Sequence, residues 1–294
     1  MTQLLTLRRG DLVAVVAPDL GGRVLSFTRA GDEVLWRNTD LLDADLQPRE
    51  AVRRGTIGFG EWLNWGGDKS WVAPQGWDSP DLWPGPPDPT FDGGVFSVHD
   101  LDLDSVGLVS ADDPATGVRM RRDIAVTADG MTVRTTLTNV GEVSRTWAAW
   151  EVVQLPIEAE DLRSGSVLVR TSRAASPHVL HRLVGDLPVA IRDGVTEVQL
   201  TDAVGKLGFP DYDGWIEYRR ASGVGLRLSS AVARGPHPDD SPAQLWVQTP
   251  QPQPIAELDG FRATAALLEL ELVSRLATLA PGESVDLPVR WTLL

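Results

Sequence analysis

Runs of strand length, apolar at alternate positions or throughout and closed by turn residues, recur along almost all of this 294-residue chain. They fall at 12–17, 23–28, 34–36, 95–98, 101–103, 117–126, 131–138 and 146–155, and again at 167–171, 195–200, 214–219, 225–230, 244–248, 263–272 and 284–292. Their boundaries are turn formers such as Pro18-Asp19-Leu20-Gly21-Gly22, Ala128-Asp129-Gly130 and Asn139-Val140-Gly141. A period of two fits a pleated strand, and helical spacing is not sustained anywhere beyond short turns near 40–49. The chain therefore reads as all-β. More than a dozen strands with no linker and no internal repeat predict one domain, 1–294, built from two large antiparallel sheets packed face to face. The longest stretch without a strand signal is 66–94, longer than an ordinary connection and so a candidate for function.

Composition narrows the partners. With 42% hydrophobic residues the chain can bury a large core, and 28 glycines and 21 prolines scattered without a period suit many short strands joined by turns. A formal net charge of −14 repels phosphate backbones and anionic lipid, so neither nucleic acid nor membrane is expected as a partner. No apolar run is long enough to span a bilayer, and the first residues lack the apolar core of a signal peptide, which predicts a cytoplasmic protein. The absence of cysteine removes disulfides, thiolate nucleophiles and Cys-ligated zinc.

Five tryptophans, Trp62, Trp65, Trp71, Trp77 and Trp83, fall within 22 residues, interspersed with Asn64, Asp68, Lys69 and Gln75. An indole face can lie against the C–H side of a sugar ring while amides and carboxylates bond its hydroxyls, so the segment reads as a polyol-binding surface. It reads equally as a satellite core pinning a long loop. Lys69 and Asp68 are candidate ligands for polar groups, and Arg54 for an acidic or phosphorylated sugar, or they form local ion pairs that order the loop.

Three segments, in order, resemble the galactose-mutarotase superfamily of aldose 1-epimerase-like supersandwich proteins. They are 18–27 with the hairpin 33–36, then 131–141, then 267–272 followed by Leu279-Ala280-Pro281-Gly282-Glu283-Ser284 and a last strand through Trp291. The stretch Trp65-Gly66-Gly67-Asp68-Lys69-Ser70-Trp71-Val72-Ala73-Pro74 resembles an uncharacterised bacterial branch of that superfamily more than the sugar epimerases. The resemblance implies an all-β supersandwich of the galactose mutarotase-like type, with a sugar or polyol ligand and no cofactor. It implies a glutamate base on a C-terminal strand, matched by Glu269 or Glu271, which alternation puts on one face about 7 Å apart.

The family's acid is a histidine on the central strand, and residues 146–155 contain none: Trp150 or Glu151 stands in its place. Glu151, flanked by indoles, is a candidate acid, a hydroxyl ligand or a surface residue. Trp65, Trp71 and Trp150 are the expected wall residues, Asn64, Lys69 and Gln154 the hydrogen-bonding ones, and His237 a rim residue. His178 and His181 lie three apart, a spacing that on a regular strand sends the rings to opposite faces, so no metal site is expected. Two readings stay open. One is carbohydrate recognition with epimerase-type acid–base ring opening, and the other is a non-catalytic sugar-binding or protein-interaction scaffold.

Overall fold

The computed structural model describes residues 1–51, 62–76, 78–173, 175–258 and 260–294. The strands of the first half are β1 (Leu5–Arg9), β2 (Leu12–Ala17), β3 (Arg23–Arg29), β4 (Asp32–Glu33), β5 (Asp68–Ala73), β6 (Ser97–His99), β7 (Ser105–Asp112), β8 (Val118–Val126), β9 (Gly130–Asn139) and β10 (Arg145–Pro156). After a single helical turn, α1 (Asp161–Ser164), come β11 (Ser166–Thr171), β12 (His178–Val184), β13 (Val189–Arg192), β14 (Val195–Gln199), β15 (Val204–Phe209) and β16 (Tyr212–Arg219). The chain closes with β17 (Gly225–Ser229), β18 (Ala243–Gln248), β19 (Leu267–Val273), β20 (Ala277–Leu279) and β21 (Ser284–Leu293).

Three antiparallel sheets result. The first four strands form a small sheet in sequence order. A seven-stranded sheet runs β12-β15-β18-β19-β10-β20, with β5 also paired to β10, and a ten-stranded sheet runs β13-β14-β11-β16-β17-β21-β9-β8-β7-β6. In the ten-stranded sheet β8, β9 and β21 alternate between buried and more exposed residues along most of their lengths, as half-buried strands do. In contrast β5 is buried at every position and β10 almost throughout. These two strands are covered on both faces, by the ten-stranded sheet on one side and by loops on the other.

Several expectations need correction. The stretch 66–94 is not free of strands, because β5 lies within it and pairs with β10 from Ala148 opposite Ala73 to Val153 opposite Asp68. Its Asp-Lys-Ser start hides the strand, since these polar side chains are buried and partnered instead of alternating with apolar ones. Residues 34–36 form no strand. There Glu33 turns its carboxylate back to accept the hydroxyl of Ser26 and the N–H groups of Phe27, Val34 and Leu35, bending the chain away. Residues 101–103 also lie outside the sheets. Strands β1, β7, β12, β13, β15 and β20 were not among the expected runs, and of these β1 and the short β20 alternate between buried and exposed residues.

Gly66 and Gly67 carry the chain into β5 at φ of +90° and +75°. A Cβ on Gly67 would collide with the carbonyl oxygen of Val24, so only glycine fits. Gly67 donates to the Trp36 carbonyl and accepts from the Gln154 N–H, which locks the start of β5 to β10.

Candidate functional site

Strand register brings the chemistry to one face of the seven-stranded sheet. Lys69 on β5 and Glu271 on β19 both stand opposite Val152 of β10, Trp71 stands opposite Trp150, and Glu269 opposite Gln154. The row continues through Trp246 on β18, opposite Glu269, to Lys206 on β15 and His181 on β12. These side chains share a face because directly opposed residues of paired strands point the same way. The face forms the floor of a cleft of about 280 Å³, walled by Trp62, Asn64, Gln75 and Pro86 on one side and by Glu257, Leu258 and Phe261 on the other.

Both floor glutamates are built alike. The Oε1 atom of Glu269 accepts Lys69 Nζ at 2.8 Å and Gln154 Nε2 at 2.6 Å, and its Oε2 takes part in neither bond. The Oε2 atom of Glu271 accepts Trp150 Nε1 at 2.8 Å and pairs with Lys206 Nζ at 2.9 Å, while its Oε1, although buried, has no hydrogen-bond partner among the described residues. Each carboxylate is thus anchored through one oxygen, and the other makes no hydrogen bond among the described residues. Burial pushes the Glu271 carboxyl above the ordinary glutamate value, against the pull of Lys206. Burial likewise holds the Lys69 ammonium below the ordinary lysine value, against the attraction of Glu269.

Indoles enclose these pairs. Trp62 and Trp71 have ring centroids 5.8 Å apart, and Trp71 and Trp150 meet edge to face at 5.3 Å. Lys69 Nζ lies 4.7 Å from the Trp62 ring centre and 4.6 Å from that of Trp71, and Lys206 Nζ lies 4.6 Å from that of Trp150. Trp62 is held in turn by Asp92, whose Oδ2 accepts its Nε1 at 2.9 Å. The buried atoms Asn64 Oδ1, Trp71 Nε1 and Gln154 Oε1 also lack a partner among the described residues. Unpaired polar atoms are uncommon in protein interiors, and these four gather around one cleft.

The sequence-selected residues divide accordingly. Asn64, Trp71, Trp150, Glu269 and Glu271 line the cleft, and Lys69 and Gln154 lie against it through Glu269. Four others do not reach it. Trp65 packs with Ala17, Leu20, Leu25, Leu42 and Leu46 in a separate apolar cluster, the satellite-core role. Glu151 and Asp68 point to the opposite side of the sheet, into the space between the two large sheets, because alternation sets them against Trp150 and Lys69. There Arg122 bonds Asp68 Oδ2 at 2.5 Å and approaches Glu151 at 3.5 Å, and Ser70 Oγ donates to Glu151 at 2.5 Å. Burial raises the Glu151 carboxyl well above the glutamate range, yet it has no route to a ligand in the cleft. His237 is half-buried ahead of the 3-10 turn Pro238–Asp240 and does not line the cleft. Arg54 and Trp77 lie outside the described residues.

Lys206, Trp246, Gln248 and His181 were not singled out for the site. Strands β15 and β12 carry weak alternation, and only their pairing with β18 and β19 brings them to the floor. For the histidines the regular-strand expectation also fails, since β12 is bulged between Val179 and His181. His178 and His181 stand opposite Gly208 and Lys206, two apart on β15 and so on one side. Among the described residues no group of three His, Asp or Glu side chains is arranged to hold a metal ion, and no helix is long and apolar enough to cross a membrane.

Residues 2–294 match the family described as "Domain of unknown function (DUF4380)". The chain belongs to that family. No curated protein sequence matches it. Among solved structures it is similar to the Slr1438 protein of Synechocystis sp. PCC 6803, with a TM-score of 0.65 and 12% identity, covering 100% of this chain and 96% of the other. It is also similar to a galactose mutarotase-like protein of Lactobacillus casei, with a TM-score of 0.61, 14% identity and 99% and 100% of the two chains covered. A galactose mutarotase-like protein of Clostridium acetobutylicum aligns with a TM-score of 0.57, 12% identity and 100% and 95% coverage. The fold is the galactose mutarotase-like, all-β supersandwich.

Proposed function

We propose that the cleft on the seven-stranded sheet of this family member, taken as one domain, binds a carbohydrate or related polyol. The reading rests above all on the two carboxylates, each anchored through one oxygen and making no hydrogen bond through the other among the described residues. A sugar ring offers neighbouring hydroxyls that donate and accept at once. Glu269 Oε2, Glu271 Oε1, Gln154 Oε1 and Asn64 Oδ1 would accept from them, Trp71 Nε1 would donate, and the indole faces would cover the C–H side. The likeness to proteins named galactose mutarotase-like supports a sugar as ligand by analogy of fold. Ring opening by acid–base catalysis is the finer form of the proposal, with Glu269 and Glu271 as its carboxylates.

The scaffold reading, in which the tryptophans meet another protein, is less well supported because Trp71 and Trp150, 3% and 5% exposed, line a recessed cleft of about 280 Å³, the size of a small-molecule site and not of a protein surface. Interface anchors of a free protein need accessible surface. The test is a panel of aldoses, polyols and sugar phosphates read by tryptophan fluorescence and melting temperature. A ligand present at 100 times its Kd should stabilise the folded state by about 2.7 kcal/mol. If no compound shifts either signal, the carbohydrate reading fails.

A further inference from the structure

We propose that the ligand of this cleft carries a protonated amino group, as an amino sugar or an aminated polyol does, and that the ammonium is received beside Trp246 between Glu269 and Glu257. This rests on the carbohydrate reading above and narrows it. The first observation is an imbalance of hydrogen-bonding groups. Side-chain donors at the cleft are largely spent inside the protein: Trp62 Nε1 on Asp92, Trp150 Nε1 on Glu271, Trp246 Nε1 on Gln248, Gln75 Nε2 on the Gly85 carbonyl and Gln248 Nε2 on the Ala265 carbonyl. Gln154 Nε2 is spent on Glu269. These partners fix the amide orientations, since only the nitrogen can donate to a carbonyl or carboxylate. Acceptors are left over. Glu269 Oε2, Glu271 Oε1, Gln154 Oε1 and the Glu257 carboxylate make no hydrogen bond among the described residues, against one such buried donor, Trp71 Nε1. Glu271 and Gln154 are fully buried, so bulk water does not satisfy their oxygens. Asn64 and a neutral His181 each offer both a donor and an acceptor and leave the balance unchanged.

An ammonium brings three donors and no lone pair, whereas each hydroxyl brings an acceptor that needs a donor in return. Hydroxyls alone would leave desolvated lone pairs unmet, a cost that an ammonium avoids. The charges agree. Glu257, Glu269 and Glu271 face Lys69 and Lys206, an excess of one negative charge, and burial, then Lys206, disfavour a charged His181, with Asp239 opposing. The indoles place the cation. Lys69 lies over the rings of Trp62 and Trp71 and Lys206 over that of Trp150, while Trp246 carries no cation among the described residues. Trp246 stands directly opposite Glu269 in the pairing of β18 with β19, and Glu257 lines the same cavity without an ion pair among the described residues. A cation held there meets an indole and two carboxylates.

The experiment titrates matched compounds at about pH 7 and reads tryptophan fluorescence: glucosamine against glucose and N-acetylglucosamine, 6-amino-6-deoxyglucose against glucose, and 1-amino-1-deoxysorbitol against sorbitol. At least one amine should bind about tenfold or more tighter than its uncharged counterparts. Neutralising Glu269 would strand the buried Lys69, so the variants are Glu257→Gln and Trp246→Leu, which leave both lysine–glutamate pairs in place. Each should cut the amine's advantage by about threefold or more. An advantage kept whole in both variants, as general attraction of amines to an acidic protein would give, overturns the proposal. Uncharged compounds that bind as tightly as the amines also overturn it and leave the carbohydrate reading intact. Silence from every compound removes both.

Discussion

Replacing Arg122 by Met tests the buried charge cluster that supports the underside of the cleft floor. Its guanidinium is fully buried and bonds Asp68 Oδ2 at 2.5 Å and the Gly22 carbonyl at 2.6 Å, and it approaches Glu151 at 3.5 Å. Met fills much of the arginine stem, so the loss is electrostatic more than steric. Breaking a buried pair from one side costs about 3–5 kcal/mol, and the abandoned Gly22 carbonyl adds about 1 kcal/mol. Burial already favours the protonated form of Glu151, so the main penalty falls on Asp68, and about 4 kcal/mol is expected at pH 7.5. With an unfolding entropy near 2.1 cal/mol/K per residue over 294 residues, this lowers Tm by roughly 6 °C. The unpaired carboxylate in the variant should be harder to ionise folded than unfolded, so its penalty must shrink as pH falls. Urea unfolding at pH 7.5 and 5.0 measures both effects. Asp68→Asn, which can still accept the Val24 N–H, should restore about 2 kcal/mol or more when combined with Arg122→Met. A loss below about 1 kcal/mol, or one that ignores pH and is not repaired by Asp68→Asn, would refute the reasoning.

Two further outcomes are expected. Burial lifts the Asp88 carboxyl from 3.8 to about 6, against hydrogen bonds from Phe91, Thr90 and Trp83. Its folded value lies above its unfolded one, so the stability it contributes is complete below about pH 4 and lost as pH rises through about 6. Relative to Asp88→Asn, wild type should therefore lose up to about 3 kcal/mol between pH 4 and 7, read from urea midpoints across that range. Gly67→Ala should cost about 2 kcal/mol or more, from a positive φ and a collision with the Val24 carbonyl, and should disturb the Trp71 environment in near-ultraviolet circular dichroism. A variant as stable as wild type would show that the approach of β5 to β3 is not tight.

Much of the architecture was legible in the chain. The long alternating strands β8, β9 and β21 announce themselves, because a half-buried strand must repeat with period two. The shared face of Glu269 and Glu271 follows from the same rule. Strand β5 was not legible, because a strand buried on both faces and carrying Asp68, Lys69 and Ser70 has lost its alternation. Nor was the place of His181 in the cleft lining, which depends on a bulge.

By itself the sequence determined the all-β class and the relative sides of neighbouring residues: Trp150 and Gln154 against Glu151, and Lys69 and Trp71 against Asp68. Which side became the cleft was decided only by the tertiary structure. Alternation is a local property and fixes that two residues face apart, whereas the identity of each face depends on what packs against it. The Lys69–Glu269 pair joins residues 200 positions apart, and Lys206 reaches Glu271 from a strand that is not adjacent to its own. Such partners are set by the order of strands across the sheet, which no local pattern records.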